Sequence, residues 1–147
     1  MLSASQVAEY LLGLSRPEVG DTISNLKLQK LLYYCQGLHL AMYGKPLFSE
    51  QIFAWNYGPV VAEVYSQYKH FGAKGIDVPD EINTSVFNDE QEELMNDVYE
   101  LFGQFSALKL MEMTHEESPW RTTAQNSEIT HDKMVDYFKT LLNTVDE

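Results

Sequence analysis

The side chains that could do chemistry in this chain are four histidines, one cysteine and a surplus of carboxylates, 22 Asp and Glu against 10 Lys and Arg. His115-Glu116 begins like the zinc-protease pattern H-E-x-x-H, which sets two imidazoles one helical turn apart. Pro119 stands where the second histidine would be, so the pattern fails. His39, His70 and His131 are scattered, and a single thiol supplies no zinc spacing. There is no G-x-S-x-G elbow and no Walker-type glycine loop. Cys35 falls on the apolar stripe of a strong helix beside Leu31 and Leu38, where burial raises a thiol's pKa and leaves it unreactive. Acidic pairs are frequent, but solvated helix faces produce them without any acid–base role. These residues point to no catalytic group, no cofactor and no metal, and hence to a protein that is not an enzyme.

Two features remain. His115 closes a helical segment, where its ring can satisfy terminal carbonyls or make a functional contact. Tyr33, Tyr34, Trp55, Tyr57, Tyr65 and Trp120 form an aromatic surplus. Each carries a polar atom that needs a partner or water, and such residues serve either as core or as interface anchors.

The elements that must position them follow from periodicity and punctuation. Ser3 and Gln6 fit a capping box, followed by Val7, Tyr10, Leu11 and Leu14 at helical spacing and closed by Pro17. Ser24 opens a central helix carrying Leu28, Leu31, Leu32, Cys35, Leu38 and Met42, with Gly44 as its stop. Near residues 50–56 the pattern changes to β-formers with large apolar residues on both faces, which predicts a short strand. Ile76 to Pro79 or Ser85 to Phe87 are its candidate partners. Pro59 suits the first turn of a third helix with Val61, Val64, Tyr65 and Tyr68, ended by Gly72. Asn88 caps a helix whose first turns are acidic, which suits the helix dipole. Ser106 caps a shorter one, Ser118-Pro119-Trp120 adds a turn, and Thr130 opens the last, with its acidic end at 144–147 expected to fray. The expected architecture is mainly α: one compact domain over residues 1–147 with a single small β element.

A chain of 147 residues fits one domain and buries about 68–70% of its unfolded surface. The start, Met1 to Ser5, does not read as a signal peptide, no run is long enough for a membrane span, and one cysteine suits a reducing compartment. The expectation is a cytoplasmic protein without a membrane partner. Net charge is −12, divided unevenly: +1 over residues 1–75 and −13 over residues 76–147. Such a chain repels phosphate backbones, so direct nucleic-acid binding is disfavoured. The acidic half either keeps the protein soluble or steers a basic partner.

Leu28-Gln29-Lys30-Leu31-Leu32-Tyr33-Tyr34, Gly44-Lys45-Pro46-Leu47-Phe48, Ile52-Phe53-Ala54-Trp55-Asn56-Tyr57-Gly58-Pro59-Val60 and Thr114-His115-Glu116-Glu117-Ser118-Pro119-Trp120 occur in order along the chain. Together they resemble the Panacea domain of the SocA-like antitoxins, a family that includes phage-associated GepA-type proteins. The resemblance spans roughly residues 5–140. It implies a helical domain that neutralises a protein toxin encoded beside it, by direct contact or, in the namesake branch, by delivery to a ClpXP-type protease, in a bacterial or phage setting. Residue types and the resemblance together suggest a partner-binding groove lined by Tyr33, Tyr34, Tyr65, His115 and Trp120, with Trp55 and Tyr57 as further contacts. Gly58 and Pro59 are expected to form a structural corner. The competing function is a phage regulator that imitates nucleic acid or inhibits a host enzyme. Mimicry needs regularly spaced surface carboxylates, and residues 89–100 supply one dense run.

Overall fold

The computed structural model of the chain describes residues 1–145. The tail expected to fray, 144–147, extends past them, and residues 146–147 lie outside the described residues. The elements are α1 (Ala4–Leu14), α2 (Asn25–Tyr43), β1 (Ile52–Trp55), β2 (Gly58–Val60), α3 (Ala62–Tyr68), α4 (Asp89–Phe102), α5 (Ala107–Glu116), α6 (Ser118–Arg121), β3 (Glu128–Ile129) and α7 (His131–Val145). The fold is mainly helical with one small sheet, as its sequence implies.

Side-chain caps set several helix starts. Ser3 and Gln6 close the capping box of α1, and Asn88 and Gln91 form a second box on α4. Ser24 and Ser106 accept from the third backbone amides of α2 and α5. Gly44 ends α2 at φ 72°, a left-handed conformation that glycine adopts without a Cβ penalty.

Helix α2 is the axis of the molecule. It packs against α1, α3, α4, α5, α7 and β2, and most of its side chains are buried on every face. Its contact with α7 is close enough that a Cβ on Gly37 would overlap the Phe138 ring. The Tyr33 and Phe138 rings meet edge to face at 5.3 Å, and Tyr34 stacks on Phe102 of α4 at 3.9 Å.

The strand at 52–55 does not stand alone, and its partners differ from those expected. It is the centre of an antiparallel sheet ordered β2-β1-β3, with Trp55 opposite Gly58 and Ile52 opposite Ile129. Thr84–Val86 is instead a 3₁₀ turn, and Gly75 bridges to Ser24. Pro59 is also misplaced by the sequence reading: it sits in β2, and α3 begins at Ala62. A proline tolerates that position because β2 is the sheet edge, where a missing N–H can go unused.

Replacing Gly37 with Ala tests the α2–α7 contact. Overpacking against Phe138 is expected to cost about 1–3 kcal/mol, measured by urea denaturation, since the ring cannot leave without opening the core.

Candidate functional site

Two motifs far apart in sequence meet at the β1–β2 hairpin. The Trp120 indole N–H donates to Trp55 O at 2.8 Å, and His115 Nε2–H donates to Asn56 O at 3.1 Å. The His115 and Trp120 rings stack with centroids 4.0 Å apart. Gln125 adds a hydrogen bond to the Asn56 side chain. The end of α5 and the single turn of α6 thus clamp the two-residue turn Asn56-Tyr57 through the carbonyls of Asn56 and of Trp55, the residue that enters it. His115 satisfies carbonyls, but those of the hairpin rather than those of its own helix end.

Gly58 leaves this turn at φ 111°, and a Cβ there would lie 2.6 Å from Lys30 Cε and 2.9 Å from Thr114 Oγ1. Both the backbone angle and the space require glycine. The buried polar face of α2 secures the next residues. Gln29 Oε1 accepts from Val61 N at 2.9 Å, standing in for the side-chain cap that α3 lacks. Asn25 Nδ2–H donates to Tyr65 O at 3.0 Å, and Gln29 Nε2–H donates back to Asn25 Oδ1. Lys30 Nζ–H donates to Pro59 O at 3.1 Å. Lys30 is 1% exposed, and burial pushes its pKa down to about 7.

Between hairpin, α2 and α3 lies a cleft of about 280 Å³. Trp55 and Tyr57 form one side and Tyr65 the other, the Trp55 and Tyr65 rings meeting edge to face at 5.1 Å. Tyr57 is 68% exposed at the hairpin tip and Tyr65 37% exposed. A second, larger groove of about 550 Å³ runs between α2, α4 and α7, with apolar Leu38, Met42 and Leu101 and a rim of Glu90, Glu93 and Asp97.

The structure divides the aromatic set. Trp55, Tyr57 and Tyr65 share the open cleft, while His115 and Trp120 support it from behind. Tyr33 and Tyr34 line neither of these grooves: both are fully buried, contrary to the expectation that they face a partner. Their hydroxyls donate to the two carboxylate oxygens of Glu117, at 2.9 and 2.8 Å, and Tyr137 bonds the same group. Helical spacing placed them correctly on α2 but could not tell a tyrosine satisfied inside from one facing out. Glu117 was missed because it reads as one more carboxylate in an acidic run. Burial raises its pKa, partly offset by the tyrosine hydrogen bonds, and burial together with the neighbouring Glu117 charge pushes Tyr137 up to about 12. Cys35 is buried, which raises its thiol well above the usual range. No cluster of three metal-ligating side chains occurs among the described residues, and none of their helices is long and apolar enough to cross a membrane.

Removing the Glu117 acceptor by Glu117→Ala would orphan two buried phenols and is expected to cost about 3 kcal/mol or more. Glu117→Gln keeps an acceptor and is expected to cost less. Because the folded pKa of Glu117 is raised, its stabilising protonated form is lost as pH rises above its ordinary 4.5, a decline the Gln variant should lack in pH-dependent denaturation. Lys30 acts in the opposite sense. Its folded pKa is depressed, so the unfolded state binds the extra proton above about pH 7 and stability rises from there toward 10.5. Lys30→Met is expected to abolish that rise, read from urea midpoints at steps between about pH 6 and 9.

The profile of the family "Antitoxin SocA-like, Panacea domain" matches residues 28–121. A curated relative, Antitoxin SocA of Caulobacter vibrioides (strain NA1000 / CB15N), is 46% identical over 54 residues, 37% of this chain. That match spans 29% of the relative's own length. No solved structure matches the chain. The matched residues run from the latch on α2 through the hairpin to the His115–Trp120 clamp, well over half of the sequence, and this chain therefore belongs to the SocA-like antitoxin, Panacea domain family.

Proposed function

We propose that this chain is an antitoxin that neutralises a partner toxin by direct protein contact, with the cleft at the β1–β2 hairpin as the docking face. The observation that carries the location is Tyr57. A large aromatic side chain stands 68% exposed on a turn whose backbone is held from behind by Trp120 and His115. A rigid exposed aromatic costs little entropy to immobilise and is the usual type of interface anchor. Trp55 and Tyr65 continue the same face. Family membership supports the antitoxin role.

The toxin is proposed to be encoded by an adjacent gene. The charge of −13 over residues 76–147 would hasten its approach if its surface is basic, so association should slow as salt rises. Presentation of the bound toxin to a ClpXP-type protease is compatible with this face, because docking leaves the rest of the surface open. The chain then works in the cytoplasm by binding and carries no catalytic step.

The test is expression of the adjacent gene under tight control, with and without this chain, while growth is followed. Growth arrest relieved by this chain is expected; a harmless neighbour, or arrest that it does not relieve, removes the reading. A ClpP-deficient host then separates blocking from delivery. In the purified pair, Tyr57→Ala is expected to leave the fold intact and weaken binding by about 2 kcal/mol, roughly thirtyfold. Trp120→Ala should instead lower stability by about 3 kcal/mol, because it removes the hairpin clamp.

A further inference from the structure

The cleft is electrostatically at odds with the protein that contains it. The chain carries 22 acidic residues and a net charge of −12, yet the residues lining this cleft include two lysines, Lys30 and Lys69, and no carboxylate. Lys30 is the unusual one. Its ammonium has three N–H donors, and the acceptor it reaches among the described residues is Pro59 O, at 3.1 Å. The remaining lining is uncharged: the aromatics Trp55, Tyr57 and Tyr65, the amides Asn25 and Gln29, and small or aliphatic residues such as Val60. Both amides already serve the backbone of the hairpin and α3 or each other.

We propose that the cleft recognises a carboxylate on an apolar or aromatic segment of the partner, an acidic side chain or a chain end, with Lys30 as the counter-charge and Trp55, Tyr57 and Tyr65 as the walls. A volume of about 280 Å³ admits one large side chain or a chain terminus rather than a cofactor. The cost of desolvating the lysine is met in the free protein by folding. An arriving anion therefore gains a charge-assisted hydrogen bond in a low-dielectric setting without that cost being incurred again. The absence of carboxylates from the lining leaves the ammonium uncompensated until such a group arrives. Gly58 contributes by omission, since any Cβ there would displace the Lys30 stem. This inference rests on the cleft being the docking face, but its test needs no toxin.

The probe is 3-phenylpropionate, titrated into the full chain at about pH 6, where Lys30 holds its proton, and followed by NMR at the Trp55 indole and Gly58 amide. Saturable shifts at both positions are expected. The neutral 3-phenylpropanamide, of the same shape, should bind at least about tenfold more weakly, and so should 3-phenylpropionate to the Lys30→Met variant. Equal binding of acid and amide, shifts that map elsewhere, or no saturable shift would each overturn the proposal. The amide comparison uses the unaltered chain, so it decides even if Lys30→Met fails to fold. A peptide ending in Phe-COOH and one with an internal Glu beside Phe then distinguish a chain terminus from a side chain. If the probe fails while Tyr57→Ala still weakens toxin binding, the docking face stands without the anion site. If the probe binds but toxin binding ignores Tyr57→Ala, the anion site stands and the docking face falls.

Discussion

Everything in this fold hangs on a helix that is buried on nearly all sides and is polar at the positions where loops cross it. Helix α2 carries Asn25, Lys27, Gln29, Lys30, Gln36 and His39 in the interior, and each is satisfied. Lys27 caps the end of α4 through Gly103 O, at 2.6 Å. Gln36 accepts from the amides of Leu47 and Phe48 and donates to Phe48 O, while His39 donates to Lys45 O. Buried polar groups without partners would cost about 1–3 kcal/mol each, so these contacts specify one arrangement of the surrounding loops as much as they stabilise it. The motif residues on α2 thus act as latches for segments that have no regular structure to hold them.

The hairpin is the most constrained of those segments. It is held by Lys30 and Gln29 from below, by Trp120 and His115 from behind and by β3 along its free edge, where Ala54 and the 126–127 backbone exchange hydrogen bonds. Such over-determination keeps Gly58 in its left-handed angle and projects Tyr57 outward on a fixed stalk. A preorganised anchor loses little freedom on binding, which is how a small face can still bind tightly.

Two buried titratable groups lie within this framework and pull in opposite directions. Glu117 ties α2 to the start of α6 through Tyr33 and Tyr34, and to α7 through Tyr137. It shapes the support behind the hairpin. Lys30, which follows Gln29 on the same helix, lines the cleft, and it is this group that the proposal pairs with a carboxylate of the partner. Both groups are buried and both are shifted by desolvation, and of the two it is Lys30 that borders the cleft.

The helices were legible in the residues, because an apolar stripe at 3.6-residue spacing bounded by Ser3, Ser24, Asn88, Ser106 and Gly44 leaves few alternatives to the local chain. The strand at 52–55 was legible for the same local reason. Its partners were not, since β3 lies more than seventy residues away and only two residues of it pair. Pro59 illustrates the ambiguity: a proline after glycine suits a helix start and an edge strand equally, and the sheet decided. Likewise Tyr33, Tyr34 and Tyr57 are the same residue type. Two became buried hydrogen-bond donors to Glu117 and one stands exposed at the hairpin tip, because only the packing of α5, α6 and α7 against α2 determines which tyrosines find a partner inside. Local spacing sets which elements form; burial and hydrogen-bond satisfaction, which are properties of the assembled fold, decide what each side chain is free to do.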